Sequence, residues 1–272
     1  MSRIAGCFAQ LAEQGRTALI PYIVAGDPGL DVTVKLMHAL VGSGADIIEV
    51  GVPFSDPMAE GPVIQLAHER ALANGACLRN ILELVREFRQ SDKETPVLLM
   101  GYANPVEHMG YTAFADAAAQ VDLDALLTVD IPPEEVECVN AELRRVGMDN
   151  IFLVAPTTPE ERVARIVGQA SGFVYYVSLK GVTGAGNLDT EQVARRVEVI
   201  RNHCDLPVAV GFGIKDAASA RSVAAVADGV VVGSALVDSM ARAIESGGDH
   251  EAALAAASGL LAEIRQGIDG TS

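Results

Sequence analysis

The chain has 272 residues, 50% of them hydrophobic but only 4% aromatic and none tryptophan, and its 20 Lys and Arg against 36 Asp and Glu give a formal charge of −16. That charge repels nucleic acid and anionic membranes at long range, so neither is an expected partner. Cys7, Cys77, Cys138 and Cys204 are scattered without a CxxC pair, and no segment approaches the ~20 apolar residues of a membrane span; a cytoplasmic protein without a zinc site or disulfide framework is expected.

Arg3 to Glu13 reads as a helix ahead of the first strand, placed to cap the bottom of the fold. Eight short aliphatic or β-branched runs follow, at about Ala18 to Val24, Ala45 to Val50, Val97 to Tyr102, Ala125 to Val129, Ile151 to Val154, Phe173 to Val177, Pro207 to Val210 and Gly229 to Val232. Helical periodicity separates them, at Asp31 to Val41, Pro132 to Val146, Pro159 to Ala170 and Leu188 to Asn202, each beginning near Asp, Pro or Thr. Two helical stretches, Val63 to Ala73 and Arg79 to Gln90, lie between the second and third runs and imply one inserted helix. Ala235 to Glu245 and His250 to Gln266 close the chain. Eight βα units in a chain of this length predict a parallel (β/α)8 barrel, one domain over residues 1–272, with a doubly wound open sheet as the competitor.

In such a barrel the chemistry gathers at the C-terminal ends of the strands. Asp27, Glu49, Tyr102, Asn104, Asp130, Ser178, Gly211 and Gly233 fall there. Glu49 interrupts an otherwise apolar strand; a carboxylate buried without a partner holds its proton, which makes a general acid, whereas a nearby Arg or solvent would make it a structural carboxylate. Asp130, ahead of Ile131-Pro132-Pro133, reads equally well as a helix-start residue. Glycine-bearing turns at 181–186, 211–214 and 233–234 follow strands six, seven and eight. Backbone approaches an oxyanion closely at such turns, so a phosphate ester is the expected ligand.

Asp46, Glu49, Asp56 and Glu60 are close in sequence, but strand alternation sends Asp46 and Glu49 to opposite faces, so no metal is expected. His38, His68, His108, His203 and His250 fall in helical or loop segments and read as surface or helix-packing residues. Among the four lysines only Lys180, after strand six, stands where a Schiff base could form. Its glycine-rich surroundings favour a solvated charge.

Five segments together resemble the alpha subunit family of tryptophan synthase: residues 21–28 (Pro-Tyr-Ile-Val-Ala-Gly-Asp-Pro), 49–57 (Glu-Val-Gly-Val-Pro-Phe-Ser-Asp-Pro), 61–65 (Gly-Pro-Val-Ile-Gln), 181–184 (Gly-Val-Thr-Gly) and 211–214 (Gly-Phe-Gly-Ile). The resemblance runs from about residue 4 to residue 245. It implies a lyase of tryptophan biosynthesis that cleaves indole-3-glycerol phosphate by retro-aldol chemistry to indole and glyceraldehyde 3-phosphate. Glu49 would carry both proton transfers, and Glu60 would accept a hydrogen bond from the indole N–H. Gly184, Gly213, Gly233 and Ser234 would hold the phosphate, while Tyr22, Met100, Leu127, Leu153 and Tyr175 would line the indole pocket and Thr183 would help close the loop over it.

The resemblance also implies a partner, a pyridoxal-phosphate beta subunit in an assembly of two alpha and two beta chains, with Asp56 in the signalling loop. No cofactor is expected in this chain itself. Two residues depart from the family pattern: Glu60 stands where Asp is usual, and Val24 where Thr is usual. The competing expectation is a catalytically weakened regulatory subunit that binds phosphate ligands and activates its partner.

Overall fold

The structure, a computed structural model, describes residues 2–178, 190–211 and 213–270. Eight parallel strands close into a barrel in chain order: β1 (Ala18–Val24), β2 (Ile48–Gly51), β3 (Val97–Gly101), β4 (Ala125–Thr128), β5 (Asp149–Val154), β6 (Val174–Val177), β7 (Val208–Gly211) and β8 (Gly229–Val232), the last pairing with β1. The (β/α)8 expectation is met and the open sheet is excluded. Both faces of every strand are covered, which is why these runs are aliphatic throughout rather than alternating.

Alternation along the strands still sorts two cores. One set, including Ile20, Ile47, Leu98, Leu127 and Phe173, fills the lumen; the other, including Leu19, Ile23, Val50, Leu99 and Val210, packs under the helices. The helix α1 (Arg3–Glu13) plugs the bottom of the lumen with Ile4, Phe8 and Leu11, and the Phe8 ring lies 5.7 Å from that of Phe173. Apolar packing by α1 thus fills the bottom of the lumen, and the cavity that contains Tyr22, Glu60 and Tyr175 lies at the strand C-termini.

The outer ring contains α2 (Leu30–Gly42), α3 (Pro62–Ala73), α4 (Leu78–Ser91), α5 (Ala103–Met109), α6 (Tyr111–Gln120), α7 (Glu137–Val146), α8 (Glu160–Val167), α9 (Thr190–Arg201), α10 (Ala217–Ala224), α11 (Ser234–Glu245) and α12 (His250–Asp269). The inserted helix between β2 and β3 is present. Three differences from the sequence reading have local causes. Between β3 and β4 the chain forms a helix pair broken at Gly110, whose φ of 87° stops one helix and starts the next. The helix read from Pro132 starts at Glu137, because the residue before each proline of Ile131-Pro132-Pro133 is driven out of the helical region. β2 likewise begins three residues late, since Asp46 is occupied in holding the Leu19 backbone N–H at 2.8 Å.

Candidate active site

Glu49 stands on β2 level with Tyr22 of β1 and Leu98 of β3, on the face that Ile47 turns into the lumen. It is 0% exposed, and neither carboxyl oxygen has a hydrogen-bond partner among the described residues. Burial alone pushes its pKa from 4.5 to about 8, so at neutral pH it carries a proton. The paired alternative is resolved against: among the described residues no arginine reaches it, and Asp46 lies at the other end of the strand, bound to Leu19 and Arg265.

A cavity of about 680 Å³ opens at the top of the lumen. One part of its wall is apolar and aromatic, formed by Tyr22, Met100, Val129, Leu153 and Tyr175; Glu60 borders it. The other part carries Gly213, Gly233 and Ser234 from the turns after β7 and β8, with Lys215 beside them. Gly233 precedes α11 and provides no side-chain cap, so the first N–H groups of a twelve-residue helix face this end of the cavity. Gly213 has φ 75°, which a side-chain-bearing residue adopts only with strain.

The two tyrosines share one device. Each ring lies over a glycine on the next strand: a Cβ on Gly51 would come within 2.7 Å of the Tyr22 Cζ, and one on Gly211 within 2.8 Å of the Tyr175 Cζ. Only glycine leaves room for an aromatic side chain inside so narrow a barrel.

Glu60 sits in the loop between β2 and α3. Its carboxylate accepts a hydrogen bond from the Tyr102 hydroxyl, which in turn accepts from the Ala59 N–H at 2.9 Å. Burial raises the Glu60 pKa, and the Tyr102 bond opposes the rise. The longer side chain at this position is thus anchored from the residue that follows β3, while Gln65 holds the Glu60 backbone carbonyl at 2.9 Å. Farther out on the same loop, Asp56 is exposed and bonded to Ser55, and Met58 is an apolar side chain with 81% of its surface exposed.

Other strand-end residues prove structural. Asp27 makes a two-pronged ion pair with Arg70 of α3, at 2.7 and 2.9 Å. Asp130 accepts from the Ala103 N–H at 2.7 Å, capping the neighbouring helix α5 rather than its own. Leu127 is buried in the lumen layer below the cavity, and Val129, two residues on, takes the place on the wall. Val24 is buried in the outer core and does not line the cavity. Thr183, Gly184 and Lys180 lie outside the described residues, as does Phe212. No cluster of three or more His, Cys, Asp or Glu side chains fit to hold a metal occurs among the described residues.

Of the two readings given to His68, the structure bears out helix packing, but its hydrogen bonds went unforeseen. It is not a surface residue but lies 1% exposed on α3, with Nδ1 accepting from the Phe54 N–H at 3.1 Å and Nε2 3.3 Å from the Tyr22 hydroxyl. Its spacing of four from Ile64 and three from Ala71 on the buried face of α3 was the available signal.

Comparison with known proteins agrees with this geometry. Residues 8–266 match the family model described as tryptophan synthase alpha chain. Two similar relatives carry that name: one from Thiobacillus denitrificans, 57% identical over 272 residues (100% of this chain, 98% of the relative), and one from Thioalkalivibrio sulfidiphilus, 60% identical over 269 residues (99% and 100%). The crystal structure of tryptophan synthase subunit alpha from Legionella pneumophila superposes with a TM-score of 0.92 at 45% identity, covering 99% of both chains. A buried acid in a closed barrel, the cavity above it and these matches over nearly the whole length agree: the chain belongs to the tryptophan synthase alpha chain family.

Proposed function

We propose that this protein is the lyase that cleaves indole-3-glycerol phosphate to indole and glyceraldehyde 3-phosphate, working as the alpha subunit beside a beta chain in the cytoplasm. The observation that carries the reading is Glu49: a buried, protonated carboxyl without a hydrogen-bond partner among the described residues, at the level of the aromatic wall of a cavity whose other end is built of glycine turns and a helix N-terminus. The apolar wall fits an indole ring, and the glycine end fits a phosphate.

Glu49 delivers its proton to the indole C3, and the cationic ring becomes an electron sink. The resulting carboxylate then takes the proton of the glycerol hydroxyl nearest the ring. As that oxygen forms its carbonyl, the carbon-carbon bond breaks, its electron pair returns to the ring, and indole and the aldehyde separate. A pKa near 8 suits a group that gives a proton and then recovers one at neutral pH. Glu60, held by Tyr102, accepts from the indole N–H and offsets the positive charge on the protonated ring. Gly213, Gly233 and Ser234 bind the phosphate; the family resemblance adds Gly184 to that role and gives Thr183 the closing of its loop.

The exposed Met58 beside Asp56 supports a partner face on the loop that also carries Glu60, so docking of the beta chain and placement of the second carboxylate are linked. Two alpha and two beta chains are the proposed assembly, with pyridoxal phosphate held by the beta chain. Indole release from indole-3-glycerol phosphate, measured with and without a beta chain, tests the reading. Slow release alone and faster release in the complex is expected; no release under either condition overturns it.

A further inference from the structure

His68 joins two parts of the site that the chain otherwise keeps apart, the loop carrying Asp56 and Glu60 and the strand carrying Tyr22. A backbone N–H can only donate, so the Nδ1 that receives the Phe54 N–H is bare, and the proton of the neutral imidazole sits on Nε2, facing the phenol oxygen. That oxygen therefore accepts from His68, and the proton of Tyr22 itself is left to be donated elsewhere.

We propose that His68 is a positioning residue for the lyase: its Nε2–H turns the Tyr22 hydroxyl into a hydrogen-bond donor aimed at the substrate, while its Nδ1 holds the start of the Glu60 loop against the barrel. The inference rests on the lyase reading and gives Tyr22 a polar task beyond lining an apolar pocket. Tyr22 pairs with Glu49 in strand register, its hydroxyl reaches over Gly51 two residues farther along β2, and its ring borders the cavity. A donor at that height meets the glycerol oxygen whose proton passes to Glu49, and stabilises the charge gathering there before the carbonyl forms. Both groups keep the protonation this needs. Burial lowers the His68 pKa against the opposing pull of the Phe54 bond and Asp27, so the ring is neutral. Burial, then Glu60 and Glu49, raise the Tyr22 pKa well above its usual value, so the phenol remains a donor.

The test combines a cycle of variants with a spectroscopic signature. Tyr22→Phe removes the hydroxyl. His68→Asn keeps an acceptor near the Nδ1 position for the Phe54 N–H but is too short to reach Tyr22. In the complex with a beta chain, each single substitution is expected to lower kcat for indole release by about tenfold with little change in KM, and the double variant to be no slower than the slower single. Nitrogen-15 NMR of the wild-type chain is expected to show His68 as the neutral Nε2–H tautomer at neutral pH, a readout independent of how the variants fold. Unchanged kcat in either single variant, losses that multiply in the double, or an Nδ1–H tautomer each overturn the proposal. A wild-type complex that releases no indole instead fails the lyase reading itself, and the two failures are thereby told apart.

Discussion

The Tyr22 phenol occupies the space that a side chain on Gly51 would fill, a Cβ there coming within 2.7 Å of the Tyr22 Cζ. The ring springs from β1 level with Glu49 and reaches over Gly51, two residues past Glu49 on the adjacent strand, so the glycine sets where the aromatic wall of the cavity stands. Gly51→Ala is expected to displace the ring, costing about 1–3 kcal/mol of stability through overpacking. Indole release should fall further than that loss of stability explains. Urea melts and steady-state rates on the same preparation measure the two effects, and an active variant with native stability would refute the placement.

Glu49→Gln is expected to abolish indole release and to stabilise the fold above mildly acidic pH. The unfolded carboxyl titrates near 4.5 and the folded one at about 8, so between those values the folded state binds more protons. Wild-type stability therefore falls as pH rises through this window and levels off above it. The variant lacks that slope: the two proteins should match near about pH 4 and differ by on the order of several kcal/mol at about pH 8. Denaturant melts across the range check this, and parallel curves would show that Glu49 is not buried as a neutral acid.

Tyr102→Phe removes the hydroxyl that donates to Glu60 and accepts from the Ala59 N–H. Losing a hydrogen bond to a charged group costs about 1.5–3 kcal/mol, so kcat/KM should drop roughly tenfold to a hundredfold. The secondary structure should be unchanged by circular dichroism. Full activity would mean that Glu60 finds its working position without Tyr102.

Arg89 tests stability away from the site. It is buried on α4 at the barrel bottom, bonded to Asp124 at 2.6 Å and to the Thr95 carbonyl at 2.7 Å, while Asp124 also receives Arg3 and the Val97 N–H. Arg89→Met leaves a buried carboxylate with one partner fewer and is expected to cost about 3–5 kcal/mol. The specific activity of the folded fraction should not change, which thermal melts and rates normalised to folded protein would establish.

The barrel, its direction, the plug helix and the burial of Glu49 in an apolar strand were legible in the residue order, because each rests on local information. A closed parallel sheet needs aliphatic runs separated by helical periods, and a lone carboxylate in such a run is conspicuous wherever the strand lies. The helix pair between β3 and β4 was harder to read: its first member is seven residues long, and the break depends on one glycine φ. Tertiary structure alone decided which polar groups meet. Asp27 and Asp130 look as chemical as Glu49 in the sequence, yet each is consumed by a partner from another element. His68 looks inert on its helix, yet it is bonded to a tyrosine 46 residues earlier in the chain. Hydrogen bonding is short-ranged and directional, so a side chain's role is set by the few atoms within about 3 Å of it, and those come from wherever the chain has returned.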